Sequence, residues 1–171
     1  MITTILKRET CAECLICCHY TDEDVWDAPG FTKKEFEKNS IDGNYHYYCS
    51  NKLFYLEMEK NSKNEYVCPL LSDKGCKLGV NKPFKCAIWP LYIVNINHKI
   101  ALVVSDVCPN VYRLSNKEIL HGIKCILPSI QTMARNYPEL IEQYRDNYRF
   151  VTYLDLSLIH ISEPTRHAQI S

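Results

Sequence analysis

The feature that most constrains this chain is a run of four cysteines within eight residues near its start. The segment CAECLICC places Cys11, Cys14, Cys17 and Cys18 in the pattern C-x2-C-x2-C-C. Clustered thiols ligate soft or borderline metals. A second group follows much later in the chain and comprises Cys68, Cys76, Cys86 and Cys108. We therefore expect the rest of the chain to form a scaffold that brings these two groups together around metal.

The spacing of the first group leaves its local structure open between a helical turn and a tight ligand loop. On an α-helix, positions 11, 14, 17 and 18 would share one face about 120° wide. Cys17 and Cys18 would nevertheless point about 100° apart, which is awkward for a single tetrahedral ion. The adjacent pair is therefore expected to divide between two metal sites, or to serve one polynuclear centre.

Composition and length indicate the class of protein. A chain of 171 residues suits one domain with its own core. Its 20 basic and 20 acidic side chains cancel without forming blocks, which excludes a nucleic-acid partner. The start MITTILKRET contains no apolar signal segment, and stretches such as LYIVNI are far shorter than the ~20 residues of a membrane helix.

We therefore predict a cytoplasmic protein with no membrane partner. In that reducing compartment the ten cysteines stay free instead of forming five disulfides. Metal ligation is then the best explanation of the two groups.

The predicted fold class is α+β: a small, irregular domain centred on cysteines and metal, with a short antiparallel hairpin and C-terminal helices. Thr32 with Glu35 forms a capping box for a short helix, and short strands are expected around Cys49. The second cysteine group is expected in loops. LYIVNINHKIALVVS predicts a hairpin that turns at Asn97-His98 and supplies the core.

Helices are predicted over about 115–150. Ser115 with Glu118 is a second capping box, and Pro128 should split the helix that follows. A last helix is expected to begin near Pro138. Residues 156–171 resemble a translated sequencing adaptor and are expected to be a non-native tail, so the single domain covers residues 1–155.

Taken with CPLL, GCKL and KPFKCAIWP, the motif CAECLICC resembles that of the YkgJ-type cysteine-cluster family, which is described as a zinc- or iron-chelating CxxCxxCC domain. The similarity covers about residues 8–110, and Lys82 and Ala87 stand where the family usually has arginine. The resemblance implies a bound metal. The ligands that we predict, from the motif and from the later Cys108, are Cys11, Cys14, Cys17, Cys18, Cys68, Cys76, Cys86 and Cys108.

All-sulfur ligation suits both zinc and iron, including a 4Fe–4S cluster. The C-x2-C-x2-C spacing matches the start of a bacterial ferredoxin motif, but the adjacent Cys18 departs from it. The expected cofactor is therefore zinc or iron. Basic residues close to the cysteines in sequence could offset thiolate charge or could be ordinary solvated side chains: Lys7, Arg8, Lys74, Lys77, Lys82 and Lys85.

The leading hypothesis is a metal-binding protein whose two cysteine groups converge on one or two centres, with no protein partner identified. Alternatives are an iron-dependent redox or protein-methylation enzyme related to flagellin lysine-N-methylases, and an interaction module stapled by zinc. No nucleophile–base pair assigns catalytic residues, and no G-x-G-x-x-G loop is present. Cys49 and Cys125 are expected to be buried apolar cysteines, and His19 a surface or packed residue.

Overall fold

A computed structural model of the chain describes residues 5, 14, 16–22, 24–25, 28–39, 41 and 45–156. Within them the fold is mixed α+β, with five α-helices and several antiparallel sheets. Cys11, Lys7, Arg8 and the adaptor-like residues 157–171 lie outside the described residues.

The helices are α1 (Lys33–Lys38), α2 (Phe84–Ile88), α3 (Pro109–Tyr112), α4 (Asn116–Ile123) and α5 (Leu127–Asn136), and 3-10 turns span Ile16–Cys18, Gly79–Asn81 and Pro138–Leu140. The strands are β1 (His19–Tyr20), β2 (Tyr47–Ser50), β3 (Leu53–Leu56), β4 (Glu59–Lys60), β5 (Tyr66–Val67), β6 (Leu71–Ser72), β7 (Gly75–Cys76), β8 (Leu91–Ile96), β9 (Lys99–Ser105), β10 (Glu142–Gln143) and β11 (Tyr148–Tyr153).

The largest sheet has the strand order β10-β8-β9-β11 and contains the predicted hairpin. β8 and β9 pair antiparallel from Leu91 opposite Val104 to Ile96 opposite Lys99. Asn97 and His98 adopt positive φ angles of 49° and 66°, as a two-residue hairpin turn requires. β11 extends the sheet antiparallel to β9, and β10 joins β8 in parallel.

The main core lies between one face of this sheet and the helices α4 and α5. Leu102 and Val104 of β9 are fully buried there, together with Ile119, Ile123 and Ile130 of the helices. Full burial of such a side chain contributes about 1.5–3 kcal/mol to folding. The prediction that the hairpin supplies the core is confirmed.

Both predicted capping boxes are present. The side chain of Thr32 accepts a hydrogen bond from the Glu35 amide at the start of α1, and Ser115 does the same for Glu118 at the start of α4. Pro128 lies in the first turn of α5, after a break that follows Ile123, so the predicted split is also confirmed.

The helix predicted from Pro138 onward is wrong. Pro138–Leu140 forms a single 3-10 turn, and the chain then contributes β10 and β11 to the large sheet. The segment YRFVTY is rich in aromatic and β-branched residues, and it pairs with the outer edge of β9 from Tyr148 to Tyr153. Tertiary pairing at that edge therefore overrides the local helical signal.

A smaller core lies on the cysteine side of the molecule. It contains Phe31, Phe36 and Leu56, with Cys68 and Cys76 packed against it. The predicted strands around Cys49 are β2 and β3, which form a hairpin. Tyr47 and Tyr48 of this hairpin are 42% and 48% exposed, whereas Leu53 and Leu56 are buried.

None of the helices in the described ranges is long and apolar enough to cross a membrane.

Candidate metal centre

Strand pairing brings the first cysteine group to the start of the second. Cys17 and Cys18 end a 3-10 turn that leads directly into β1. β1 pairs antiparallel with β5, with His19 opposite Val67. The next residue, Cys68, donates its backbone N–H to the carbonyl oxygen of Cys18 at 3.0 Å. Two cysteines fifty positions apart in the sequence are thus joined by a backbone hydrogen bond.

A small hairpin places Cys76 beside Cys68. Cys76 lies on β7, which pairs with β6 so that Leu71 is opposite Cys76. Gly75 has a φ of +91°, a conformation that glycine adopts without strain, and it allows the tight turn between the two strands. The amide of Leu71 also donates to the carbonyl oxygen of Cys68 at 2.8 Å, which closes the segment between the two cysteines.

Helix α2 carries Cys86 and is tied to α1 by one side chain. Glu35, the third residue of α1, accepts a hydrogen bond from the Phe84 amide at 2.7 Å through Oε1. Its other oxygen, Oε2, accepts from the amide and the hydroxyl of Thr32 at 2.9 and 2.8 Å. One carboxylate thus caps α1 and fixes the start of the helix that bears Cys86.

Five of the predicted ligands line one cavity of about 50 Å³, namely Cys17, Cys18, Cys68, Cys76 and Cys86. Leu56, Leu70 and Trp89 also line its wall. The cavity thus brings together two ligands of the first group and three of the second. Its wall therefore offers soft sulfur ligands in poorly solvated surroundings.

The adjacent cysteines approach each other more closely than was expected. The Sγ atoms of Cys17 and Cys18 lie 3.9 Å apart. Two sulfurs bound to one tetrahedral zinc ion at about 2.3 Å lie about 3.8 Å from each other. The divergence calculated for an α-helix does not apply, because these residues leave a 3-10 turn for a strand.

The pair shares its protons unequally. The pKa of Cys17 is lowered to about 7, chiefly because its thiolate is hydrogen-bonded by the Cys18 thiol, and Lys82 lowers it further. The same hydrogen bond and burial raise the pKa of Cys18 above the ordinary thiol value. The first proton of the pair therefore leaves easily and the second is held strongly.

Burial is the main cause of the pKa shifts in the second cysteine group. The pKa of Cys68 is raised to about 11, chiefly by desolvation and also by the nearby Cys76 and Cys17. Desolvation also raises the pKa of Cys86, with Cys68 and Cys17 again contributing. Mutual repulsion of this kind arises when several thiols occupy one site, and a bound cation would relieve it.

The remaining predicted ligands are not among the five cysteines that line the cavity. Cys108 is buried at the start of α3, and burial raises the pKa of its thiol, with smaller contributions from Cys14 and Cys17. Cys14 is exposed, and Cys11 lies outside the described residues. Cys17 therefore neighbours both the cavity set and Cys108.

Two of the predicted cations lie close to the thiols. Lys82 lines the cavity, and its charge lowers the pKa of Cys17 after the larger effect of the Cys18 hydrogen bond. The charge of Lys77 lowers the pKa of Cys68, against the larger effect of burial. Its ammonium also donates a hydrogen bond to the carbonyl oxygen of Pro69 at 2.9 Å. Lys85 forms an ion pair with Glu142 instead.

Cysteine thiols are the type of ligand that a thiophilic metal prefers. All nine cysteines in the described part of the chain are free thiols. Among the described residues, however, no group of three or more His, Cys, Asp or Glu side chains has the geometry to hold an ion. The five cysteines surround their cavity, and a metal would have to draw their sulfurs inward.

The two leftover cysteines differ from expectation. Cys49 and Cys125 are exposed, so the prediction that they are buried apolar residues is wrong. Cys49 lies on β2, all of whose residues are exposed, and Cys125 lies in the turn between α4 and α5. His19 is part-buried, with Nδ1 at 3.8 Å from Oε2 of Glu65, in keeping with the expected packed histidine.

Sequence reasoning missed three residues that shape the site. Tyr20 donates its hydroxyl hydrogen to the carbonyl oxygen of Cys17 at 2.9 Å, and burial raises the pKa of its phenol. Trp89 lines the cysteine cavity, and Glu35 fixes α2. The position of Tyr20 two residues after Cys18 was the available signal, whereas the bond between Glu35 and Phe84 spans 49 positions.

Comparison of the chain with protein-family models, with curated proteins and with solved structures finds no match.

Proposed function

We propose that this chain is a metal-binding protein that holds zinc or iron, either as an ion or in an iron–sulfur cluster, through its cysteines. The observation that carries the proposal is the cavity at which Cys17 and Cys18 meet Cys68, Cys76 and Cys86. Strand pairing, a hairpin and a capped helix each deliver part of that set. The motif resemblance to CxxCxxCC chelating domains points to the same chemistry.

The thiols divide naturally into two ligand sets. Cys18, Cys68, Cys76 and Cys86 form the four-thiolate set around the cavity. The other four predicted ligands form the second set: Cys11, Cys14, Cys17 and Cys108. Since Cys17 borders both sets, one shared polynuclear centre is the alternative arrangement. The proposal places the protein in the cytoplasm, where thiols stay reduced.

The first experiment is an anaerobic purification without a metal-chelating tag, followed by measurement of zinc, iron and acid-labile sulfide per chain and of the visible spectrum. We expect about one or two metal ions per chain, because four thiolates complete a tetrahedral shell. Iron with sulfide would identify a cluster, and colourless zinc a closed thiolate site. A chain that carries no metal would refute the proposal.

A matched pair of substitutions locates the site. Cys86→Ser should lower metal affinity at least about tenfold, because it removes a ligand from the cavity. Cys49→Ser should leave affinity unchanged, because Cys49 is an exposed thiol of β2 that does not line the cavity. Competition with a chromophoric chelator measures both. Equal affinities for the two variants would contradict the assignment of the cavity.

An iron-dependent redox or methylation enzyme is the second candidate, and one observation favours it. A cleft of about 320 Å³ shares Cys17 with the cysteine cavity. Catalytic metal sites keep one side open to a ligand, whereas structural sites are closed. Oxygen-sensitive iron with a visible absorbance band would support this candidate over metal storage or a zinc-stapled module.

A further inference from the structure

The cleft beside the cysteine cavity has the size of a ligand site. Its volume of about 320 Å³ lies at the lower end of the range for small-molecule pockets. Cys17, Tyr20, Pro29 and Trp89 line both the cleft and the cavity. A molecule in the cleft would therefore lie next to the proposed metal centre.

Three of the described residues that line the cleft are aromatic, Tyr20, Trp89 and Tyr92. Tyr92 is backed by Tyr148, with ring centroids 4.9 Å apart and planes 21° apart, so its ring is held in place. Tyr20 is fixed by its hydrogen bond to the Cys17 carbonyl oxygen. Rings held in this way form a preorganised surface for an apolar body or for a cation.

The charged groups of the cleft favour a cation. Asp24 and Glu65 line it with two carboxylates. Lys85 also lines it, but its ammonium is paired with Glu142, and the two side chains are only 13% and 15% exposed. Cys17, His19 and two tyrosines are the other titratable side chains of the described wall, and His19 faces Glu65. The described wall therefore presents two acidic groups and one lysine whose charge is already balanced.

We propose that the cleft binds a small organic ammonium compound with an apolar body. The body lies against the aromatic side chains, the charge faces Asp24 and Glu65, and one part of the molecule reaches Cys17. Ammonium groups are attracted both to aromatic faces and to carboxylates, and this wall offers both. The inference rests on the proposed function for the metal that the ligand would approach.

Titration calorimetry with phenethylamine and 2-phenylethanol tests the proposal. These probes differ mainly in the charge of one end. Metal content is measured on the same anaerobically purified sample. We expect the amine to bind with a Kd of about 1 mM, and the alcohol to bind at least about tenfold more weakly.

Substitutions test whether the carboxylate charges of the cleft, and not only its shape, determine amine binding. The double variant Asp24→Asn, Glu65→Gln should weaken amine binding at least about tenfold and leave alcohol binding unchanged. Asp73→Asn with Glu57→Gln is the matched control, because both residues are exposed and neither lines the cleft. Backbone NMR on the unmodified protein should show phenethylamine shifting the amides of Cys17, Trp89 and Tyr92, which gives a readout that does not depend on a variant folding.

The outcomes distinguish the two proposals. Equal binding of amine and alcohol, no binding of either, or amide shifts confined to other surfaces would overturn the ammonium site. A sample that contains metal but does not bind the amine would overturn the ammonium site alone. A sample that lacks metal but binds the amine would overturn the metal-binding proposal and leave the ammonium site standing.

Discussion

Lys82 is a basic residue whose charge acts on two cavity thiols of different groups. It lowers the pKa of Cys17, secondary to the Cys18 hydrogen bond, and it opposes the burial that raises the pKa of Cys86. A centre of four thiolates carries more negative charge than a divalent metal neutralises. A lysine at the cavity wall is placed to offset the excess.

Lys82→Met should therefore weaken metal binding by about tenfold, the lower end of the range for groups that surround a metal shell. Lys74→Met is the control, because Lys74 is an exposed residue of the β6–β7 turn. Chelator competition at two salt concentrations provides the measurement. Equal affinities for the two variants would show that Lys82 is an ordinary solvated lysine.

For single residues, the sequence predicted which cysteines line the cavity but not how their side chains are arranged. The motif and the later cysteines identified the five that line the cavity. The spacing left a helical turn and a tight loop open for Cys17 and Cys18, and a 3-10 turn followed by a strand brings their sulfurs to 3.9 Å. Whether Cys49 and Cys125 were exposed depended on sheet edges and turns that no local pattern encodes.

The two capping boxes are similar elements with different neighbours. Each joins a Ser or Thr N-cap to a glutamate three residues later. Only Glu35 also accepts the Phe84 amide, and so it connects α1 to the helix that carries Cys86. Glu118 begins α4, which packs on the main core away from the cysteine cavity.

Glu35→Ala should thus lower both stability and metal affinity, whereas Glu118→Ala should lower stability alone. Each substitution removes the glutamate half of a capping box, and Glu35→Ala also leaves the part-buried Phe84 amide without its acceptor, which costs about 1–3 kcal/mol. Urea unfolding and chelator competition measure the two effects. Equal loss of metal affinity in both variants would show that Glu35 has no particular role at the site.

Local signals explain which elements were predicted correctly. Capping boxes, the Asn97-His98 turn and the position of Pro128 depend on neighbours within a few residues. β10 and β11 depend on partners about 50 residues earlier in the chain, on β8 and β9. A segment such as YRFVTY becomes a strand because the edge of β9 is available, and its own sequence does not reveal that edge.

The described residues form a smaller core with two predicted ligands packed against it and a main core that contains one, Cys108. Leu102 and Val104 are completely buried under helices α4 and α5, and Val94, Ala101 and Val103 are completely buried in a separate cluster of the same sheet. The smaller core around Phe31, Phe36 and Leu56 has Cys68 and Cys76 packed against it. Structural zinc contributes about 10–16 kcal/mol in peptides, comparable to the ~5–15 kcal/mol stability of a whole domain.

Removal of the metal should consequently loosen the cysteine side and spare the large sheet. Hydrogen exchange after anaerobic chelation should show at least about tenfold faster exchange at β1, β5 and α2, with β8 and β9 unchanged. Loss of protection throughout would indicate that one cooperative unit depends on metal. No change at β1, β5 and α2 would contradict a metal that holds the cavity together.

The order in which the ribosome makes the site follows from the long separation of its parts. Cys18 and Cys86 are 68 positions apart (86 − 18). At about 5–20 residues per second, Cys18 is synthesised roughly 3–14 s before Cys86. For that interval the CAECLICC thiols belong to a nascent chain without the cavity. Throughout that interval Cys18 lacks both Cys86 and the cavity that the two residues line in the folded chain, so these thiols stay open to oxidants until translation has passed α2.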